Sequence, residues 1–343
     1  MRVVNEFNAD EKILHNTDKL DYFFNGHKTL IVTELDLTNR CNNRCPACCG
    51  NKNNQAELTK EQIKLIIDGL CQMRNKGVIL SGGGEPLISP HFIYTMNALR
   101  NKMKIGVNSN GLALTEKNAT VIAESSSFFR ISLDAATPDT YAVTHGMGRK
   151  EFDRVIKNCR MFADIRDKTN SQTSFGLGFL TNRETVDEME AFVCLAKDCG
   201  ADFAQFRPMM GTEINPLDIT KIYLKLADKY NADYFRVTAS IQKYREMGNS
   251  GQRDYSRCRG MFFSTVITAD AKVFACIHHR QNPEYFVGQI NEDTTLEDIF
   301  LSPRIREVYK SIQCEKCPVL CRNDSFNRTL DNLSKDINHL EFL

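Results

Sequence analysis

The chain has 343 residues, which is enough for one large α/β domain and a smaller second domain around a substantial buried core. Its 44 Lys and Arg residues balance 43 Asp and Glu residues, so no overall charge draws it to nucleic acid or to an anionic membrane. The amino terminus has no apolar signal core, and no apolar run reaches the ~18 residues of a membrane span. We therefore expect a cytoplasmic protein without a nucleic-acid or membrane partner. In such a reducing compartment, its 13 cysteines indicate metal ligation rather than disulfides.

Strands alternate with amphipathic helices along the first two thirds of the chain. The predicted strands are Leu30 to Leu37, Gly77 to Ser81, Lys104 to Asn108, Phe129 to Leu133, Ser174 to Leu180 and Asp202 to Pro208. The predicted helices are Thr59 to Arg74, Pro90 to Lys102, Thr115 to Ser125, Lys150 to Arg166, Arg183 to Cys199 and Asp218 to Asn231. This alternation predicts a parallel sheet with helices packed outside it.

A loop with three closely spaced cysteines follows the first predicted strand. Cys41, Cys45 and Cys48 stand four and three residues apart in a polar segment with poor helix propensity. Three thiolates on one loop can hold three irons of a [4Fe-4S] cluster and leave the fourth iron open. Zinc would need four ligands in two pairs, and no second pair follows within 20 residues. Three buried cysteines on one helix face are the remaining alternative.

A run of glycines ends the second predicted strand. Gly82, Gly83 and Gly84 precede Glu85, and together they remove every Cβ at the carboxyl end of that strand. A ligand could therefore touch the backbone at this place. A tight turn from strand to helix is the alternative explanation of the same glycines.

The two motifs together, Cys41-x3-Cys45-x2-Cys48 and Gly83-Gly84-Glu85, resemble those of the radical S-adenosylmethionine (SAM) enzymes. The resemblance implies a partial (β/α)6 barrel, a [4Fe-4S] cluster whose open iron binds SAM, and a glycine motif, from Gly82 to Glu85, that holds the methionyl ammonium. It also implies a flavodoxin- or ferredoxin-type electron donor. In this family a 5′-deoxyadenosyl radical, formed from SAM, removes a hydrogen atom from the substrate. Ala47 departs from the aromatic residue that many members carry near the adenine.

Polar residues at the carboxyl ends of the strands are further candidates for cofactor binding, because parallel barrels bind ligands at that edge. Ser132 and Asp134 alternate with apolar neighbours and so point to one side of their strand, although capping the next loop is an ordinary alternative. Asn108 ends the third strand. Arg207 ends the sixth strand and could bind a SAM or substrate carboxylate, or pair with a glutamate.

A second group of cysteines lies in the carboxyl-terminal third. Cys258 and Cys276 bracket a predicted hairpin, and a predicted helix from Leu296 to Ser311 precedes Cys314, Cys317 and Cys321. These spacings predict one metal site, either iron-sulfur or structural zinc. The region resembles the Twitch module, a shortened SPASM domain found in enzymes similar to 2-deoxy-scyllo-inosamine dehydrogenase. That resemblance implies one auxiliary [4Fe-4S] cluster on the first four of these cysteines, with Cys321 as the spare or as a replacement for Cys317.

The expected organisation is an amino-terminal extension (1–29), a barrel (30–235), an auxiliary cluster domain (236–325) and a carboxyl-terminal helix (326–343). Of the other cysteines, Cys49 could return a hydrogen atom to a substrate radical. The remaining four are expected in the core: Cys71, Cys159, Cys194 and Cys199. Three arginines near the auxiliary site could attract an anionic substrate: Arg257, Arg259 and Arg280.

We expect a radical SAM enzyme that removes hydrogen from a small polar molecule such as a sugar, an aminocyclitol or a nucleotide-linked compound. The auxiliary cluster would then accept an electron as the substrate is oxidised. The segment of 40 residues before Cys41 is shorter than the leader-recognition domain of many peptide maturases. A peptide maturase that uses a separate recognition protein is the main alternative, and a non-catalytic iron-sulfur or zinc module is the third.

Overall fold

The computed structural model describes residues 10–48, 50, 54–211, 216–248, 253–319 and 321–335. Within them the strands are β1 (Val32–Asp36), β2 (Gly77–Ser81), β3 (Lys104–Ser109), β4 (Phe128–Ser132), β5 (Ser174–Thr181), β6 (Phe203–Pro208), β7 (Arg236–Ala239), β8 (Ser264–Ile267), β9 (Lys272–Phe274) and β10 (Phe286–Gln289). The helices are α1 (Thr17–Phe24), α2 (Lys60–Gln72), α3 (Phe92–Leu99), α4 (Glu116–Ser125), α5 (Pro138–His145), α6 (Arg149–Lys168), α7 (Met189–Asp198), α8 (Pro216–Tyr230), α9 (Ile241–Gly248), α10 (Leu296–Leu301), α11 (Pro303–Ser311) and α12 (Asp324–Leu333).

All ten strands belong to one sheet, in the order β10-β9-β8-β1-β2-β3-β4-β5-β6-β7. Strands β1 to β7 are parallel neighbours, and helices connect them, which confirms the predicted partial barrel of alternating strands and helices. The strand β7 adds one more parallel strand to the six that the sequence predicts. On the other side, β8 pairs in parallel with β1, and β9 and β10 continue from it as antiparallel strands.

Local signals explain where several helices begin and end. The helix α2 starts at a capping box in which the Thr59 side chain accepts from the Gln62 N–H and the Gln62 side chain accepts in return. The long helix predicted from Leu296 to Ser311 is divided into α10 and α11 at Ser302. The cause is Pro303, which lacks an N–H and disfavours helical geometry in the residue before it.

The two faces of the parallel sheet differ in polarity. Side chains on the outer face pack under the helices and are fully buried, as Val78, Val107 and Phe129 are. On the inner face, register places polar side chains beside one another, for example Asn108 opposite Arg130. Because paired residues of parallel strands point to the same side, this inner face forms a polar cavity wall. No helix among the described residues has both the length and the apolar character that crossing a membrane would require.

A buried ion-pair network joins β1 to the carboxyl-terminal region. The Arg280 guanidinium donates to both oxygens of Asp36 at 3.0 and 2.9 Å and to Glu34 at 2.9 Å. Arg322 donates to the other Glu34 oxygen at 2.5 Å. Burial, opposed by Arg280 and reinforced by Glu34, raises the pKa of Asp36 to about 6. Burial acts on Glu34 too, but Arg322 and Arg280 outweigh it and hold the Glu34 pKa below its usual value.

Replacing Arg280 with Met should destabilise the protein by about 3–5 kcal/mol at pH 8, because it leaves two buried carboxylates without their shared partner. The loss should be smaller at pH 5, where Asp36 can take up a proton and become neutral. Urea denaturation of the reconstituted protein at both pH values measures this difference.

The matched control is Lys64→Met, which breaks an exposed Lys64–Asp68 pair on α2. This change should cost less than about 0.5 kcal/mol at either pH. An Arg280→Met variant as stable as this control would show that the network contributes nothing to joining the two regions.

Candidate active site

The three-cysteine loop leaves the carboxyl end of β1 and is held in place by its backbone. The Arg44 N–H donates to the His145 carbonyl at the end of α5, at 3.0 Å. Cys41 and Cys48 are exposed, whereas Cys45 is half-buried. The three side chains therefore share an open edge of the barrel, where parallel sheets usually bind their ligands.

Backbone N–H groups point at two of the thiols. The Asn43 N–H lies 3.4 Å from Cys41 Sγ, and the Gly50 N–H lies 3.3 Å from Cys48 Sγ. Burial, followed by the proximity of Cys48 and Cys41, raises the pKa of Cys45 to about 12. Three such thiolates repel each other unless a cationic metal centre neutralises them. The donors to sulfur and the mutual proximity both fit a loop that ligates a cluster.

The glycine turn after β2 is pressed against the same loop. The Gly84 N–H donates to the Thr38 carbonyl and the Glu85 N–H donates to the Arg40 carbonyl, both at 2.9 Å. A Cβ on Gly84 would overlap the Arg40 carbonyl, and one on Gly82 would overlap the Gly84 carbonyl. Glycine is therefore required here by close backbone approach, and the turn presents bare backbone beside the cysteines.

Glu85 uses its carboxylate on protein donors. One oxygen accepts from the Ser109 hydroxyl at 2.7 Å and from the Leu87 N–H at 3.0 Å, and the other accepts from the Asn110 N–H at 2.8 Å. Burial raises the Glu85 pKa in spite of these bonds. Glu85 thus ties the glycine turn to the end of β3, and its predicted contact with SAM stays a prediction.

Of the four other predicted cofactor contacts, three lie on the inner side of β3, β4 and β6, and the fourth, Asp134, follows β4. The Asn108 side-chain oxygen on β3 is buried and has no hydrogen-bond partner among the described residues, so it is ready to accept from a ligand. Ser132 ends β4 on the same face. Asp134, with a positive φ of 49°, accepts from the Leu180 N–H at 2.7 Å and raises the pKa of the nearby Cys45. Arg207 lies on β6 and faces β4 across β5.

The five carboxyl-terminal cysteines come together from separate segments. Cys258 precedes β8, Cys276 follows β9, and the other three follow α11. Burial first, and then the closeness of Cys258, raises the pKa of Cys276 and of Cys314 to about 12. Cys258 acts in the same direction on Cys317 and Cys321. The other four cysteines thus all lie close enough to Cys258 for its charge to raise their pKa values, and the choice between Cys317 and Cys321 as a ligand stays a prediction.

Arg253 fixes the loop that carries these cysteines, although nothing in the sequence around it marks this role. Its guanidinium donates to the Cys314 carbonyl and to the Pro318 carbonyl, both at 2.7 Å, and to Asp324 at 2.8 Å. Its side chain is 4% exposed and that of Asp324 is 2% exposed. The Asn327 amide points at Cys258 Sγ at 3.6 Å. N–H donors to a thiol of this cysteine group fit a site that holds an iron-sulfur cluster.

No three His, Cys, Asp or Glu side chains within the described ranges are arranged to hold a single metal ion. The assignment of both cysteine groups therefore rests on their spacing, their proximity and their donors. The predicted hydrogen-atom donor, Cys49, lies outside the described residues.

The remaining cysteines divide into two buried and two exposed. Cys159 and Cys199 are buried in the core and contact each other, as the sequence predicts. The same prediction is wrong for Cys71 and Cys194, which are exposed, because each lies on the solvent side of its amphipathic helix.

A separate cavity of about 1150 Å³ lies at the opposite, amino-terminal end of the strands. It is lined by residues such as Lys76, Lys104 and Ser127, where β2, β3 and β4 begin. None of the predicted site residues lines it, and in parallel sheets this edge serves stability rather than chemistry.

Comparison with known proteins matches two families. A family profile of the radical SAM superfamily matches residues 35–196, which covers the cysteine loop, the glycine turn and the strands up to β5. A second profile, SPASM, described as an iron-sulfur cluster-binding domain, matches residues 258–322 and so begins and ends at the auxiliary cysteines.

Curated relatives are distant. Molybdenum cofactor biosynthesis protein 1 of Dictyostelium discoideum is 27% identical over 215 residues, covering 60% of this chain and 32% of the relative. GTP 3′,8-cyclase of Petrotoga mobilis is 27% identical over 200 residues, covering 54% of this chain and 59% of the relative. The chain thus matches only about a third to three fifths of these proteins.

Solved structures agree in fold. Streptococcus suis SuiB bound to its precursor peptide SuiA has a TM-score of 0.68 at 13% identity, covering 93% of this chain and 77% of SuiB. The structure of anSMEcpe with bound AdoMet has a TM-score of 0.63 at 17% identity, covering 86% and 87%. At this level of identity, the likeness shows the shared fold and no common substrate.

Replacing Gly84 with Ala should weaken SAM binding by roughly tenfold or more, because the added methyl would displace the Arg40 carbonyl and the cysteine loop. Equilibrium binding of SAM to anaerobically reconstituted protein measures the effect. Gly77→Ala is the control, since its Cβ would lie an ordinary 3.6 Å from the Lys104 carbonyl. Equal affinities in the two variants would contradict the role of the glycine turn.

Replacing Cys41, Cys45 and Cys48 together with Ala should remove about half of the iron and sulfide of the reconstituted wild type, because a second cluster remains on the auxiliary cysteines. Iron and sulfide analysis, with zinc measured in parallel, checks this. A triple variant that holds no iron would mean that the auxiliary cysteines bind zinc or no metal. Adding Cys258→Ala should remove the remaining iron.

Proposed function

The chain belongs to the radical SAM superfamily and carries a SPASM iron-sulfur domain, and on this premise we propose that it oxidises a small polar substrate by hydrogen-atom abstraction. The radical SAM domain implies SAM and a [4Fe-4S] cluster, and the SPASM domain implies auxiliary iron-sulfur binding. The substrate would be a sugar, an aminocyclitol or a nucleotide-linked compound. It also includes a flavodoxin- or ferredoxin-type electron donor.

When bound, these groups supply a 5′-deoxyadenosyl radical that removes hydrogen from the substrate and an acceptor for the electron that the substrate radical then gives up. Cys41, Cys45 and Cys48 would hold the SAM-binding cluster, and the turn from Gly82 to Gly84 would hold the methionyl part of SAM. The free oxygen of Asn108 would accept from a ligand N–H or O–H. Glu85 keeps the turn and the end of β3 in register.

The auxiliary cysteines would hold a second cluster on the other side of the same cavity. Cys258 precedes β8 and Cys276 follows β9, so both leave the sheet near the amino-terminal end of β1, whereas Cys41 follows its carboxyl end. The five residues of β1, at ~3.3 Å each, separate the two ends of this strand by roughly 15 Å. A substrate in the cavity would lie between the two cysteine groups, which supports an oxidation rather than radical initiation alone.

The single observation that supports the proposal is that one sheet carries both cysteine groups, one after the carboxyl end of β1 and the other beside β8 and β9. The distant relationship to a protein named GTP 3′,8-cyclase agrees with a small polar substrate. The fold similarity to SuiB with a bound precursor peptide keeps a peptide substrate, delivered by a separate recognition protein, as the alternative outcome of the substrate test. A non-catalytic module is inconsistent with membership of an enzyme superfamily.

Anaerobic incubation of the reconstituted protein with SAM and dithionite should form 5′-deoxyadenosine, and chromatography of the products detects it. The Cys41, Cys45 and Cys48 triple Ala variant should form none, because the open iron is lost. If the wild type holds its iron and still forms no 5′-deoxyadenosine, SAM cleavage is not its activity.

Substrate class can be decided by incubation with deuterated sugars, aminocyclitols, nucleotides and peptides. Transfer of deuterium from a carbinol carbon of a small molecule into 5′-deoxyadenosine, together with a ketone product, is the expected result. Transfer from a peptide Cα or Cβ position alone would replace the proposal with a peptide maturase.

A further inference from the structure

Three cations on the inner wall of the barrel have no carboxylate partner in the part of the chain that the structure describes. Among the described residues, no Asp or Glu oxygen lies within ion-pair distance of Arg130, Arg207 or Lys243. The Nε atoms of both arginines are buried without a hydrogen-bond partner in the part of the chain described. Arg130 Nη1 donates to the Gln205 side-chain oxygen at 2.6 Å, and this acceptor is neutral. An arginine cannot lose its proton, so the remaining N–H groups need an anion or further acceptors.

Two arginines from the strands on either side of β5 extend toward one glycine. Arg130 on β4 is opposite Gly176 of β5, and Arg207 on β6 is opposite Leu180 of β5. Gly178 lies between these two levels on the same face of β5. A Cβ built on Gly178 would lie 3.4 Å from Arg130 Cδ, 3.6 Å from Arg130 Nε and 3.7 Å from Arg207 Nη2. The missing side chain leaves a gap that both guanidinium groups border.

Lys243 lies on α9, which begins beside the end of β6, where the Ser240 N–H donates to the Phe206 carbonyl at 3.0 Å. Burial lowers its pKa to about 8, and the neighbouring charges of Arg207 and Arg322 act in the same direction. For Arg130, burial followed by Arg207 lowers the pKa well below its usual value. The positive charges of these groups therefore destabilise one another. An anion placed among them would offset this repulsion.

The nearby carboxylates are already engaged elsewhere. Glu34 and Asp36 bind Arg280 and Arg322. Asp134, which also acts on Arg130, accepts from the Leu180 N–H. Glu246, which faces Lys243 from the same helix, binds Arg328 at 3.0 Å.

The arginines that the sequence suggested for an anionic substrate are also occupied. Arg280 binds Asp36, Arg259 binds Asp331 at 2.8 Å, and Arg257 donates to the Lys310 carbonyl at 3.0 Å. The sequence contains a signal for Arg130, which stands two residues before Ser132 and therefore lies on the same inner face of β4. Lys243 has no local signal.

We propose that Arg130, Arg207 and Lys243 bind an anionic group of the substrate, a phosphate or a carboxylate, in the gap over Gly178. This inference rests on the proposed function, because it places that substrate in the cavity between the two cysteine groups. Guanidinium groups bind such oxyanions with paired N–H donors, and Lys adds a point charge. The carboxylate of SAM is the other possible source of this chemistry, and the experiment separates the two.

The test is calorimetric titration of inorganic phosphate into anaerobically reconstituted, SAM-saturated protein at fixed ionic strength. Phosphate should bind the wild type, and Arg207→Met and Lys243→Met should each weaken it by roughly tenfold or more. Lys229→Met, which removes an exposed Lys229–Glu190 pair far from the cavity, should leave phosphate affinity unchanged. The affinity for SAM, measured without phosphate, should be the same in all four proteins.

Gly178→Ala tests whether a loss of phosphate binding can occur without misfolding. Its methyl makes only ordinary contacts with both arginines but occupies the gap, so phosphate binding should weaken while the melting temperature stays at the wild-type value. Phosphate binding that is absent in the wild type, or equal in all variants, overturns the site. Competition between phosphate and SAM, with SAM affinity lowered in Arg207→Met, assigns the cations to SAM and overturns the substrate assignment.

Formation of 5′-deoxyadenosine, measured in the same preparations, distinguishes failure of the anion site from failure of the proposed function. Intact SAM cleavage without a phosphate effect rejects only the anion site. Absent SAM cleavage with iron in place rejects the proposed function instead.

Discussion

The parallel pairing of β8 with β1 is the interaction on which the rest of the molecule depends. The Ile31 and Val32 N–H groups both donate to the Phe263 carbonyl, and the register then runs from Val32 opposite Ser264 to Leu35 opposite Ile267. This pairing makes the auxiliary hairpin a continuation of the barrel sheet instead of a separately tethered unit. Because β1 also carries the cysteine loop, one strand sets the distance between the two cysteine groups and lets Arg280 and Arg322 reach Glu34 and Asp36.

The inner face of the sheet combines two kinds of charged group with different roles. Glu34, Asp36, Arg280 and Arg322 neutralise one another at the junction, and burying them is tolerable because each charge has a partner. Arg130 and Arg207 beside Gly178 have no carboxylate partner within the described part of the chain, so their partial burial destabilises the protein without a ligand. Proteins usually keep such unpaired buried cations at sites where a bound ligand offsets the unfavourable free energy. The same reasoning separates Glu85, whose oxygens are all engaged by the chain, from Asn108, whose oxygen is free.

Sequence patterns succeeded where the cause is local. The strand from Gly77 to Ser81 is reproduced residue for residue, since a short apolar run bounded by glycines has few alternatives. The capping box at Thr59 marks the start of α2 directly. Predictions of helix bounds and of burial failed where a distant contact or a single helix-breaking residue determines the structure. Pro303 divides the helix expected from Leu296 to Ser311, and the exposed Cys71 and Cys194 show that cysteine on an amphipathic helix is not by itself a sign of burial.

By itself, the sequence determined the family, the alternation of strands and helices, and the two cysteine groups, because ligand spacing and hydrophobic periodicity are properties of neighbouring residues. Only the tertiary structure decided that β8 joins β1 and that Arg253 holds the auxiliary loop. It also decided that Arg259 and Arg280, two of the arginines first suspected of binding a substrate, are held in ion pairs. It likewise decided which cations have no carboxylate partner among the described residues, since Arg130, Arg207 and Lys243 come from two strands and a helix far apart in the chain. Charge balance in a cavity is a sum over groups that only folding brings together.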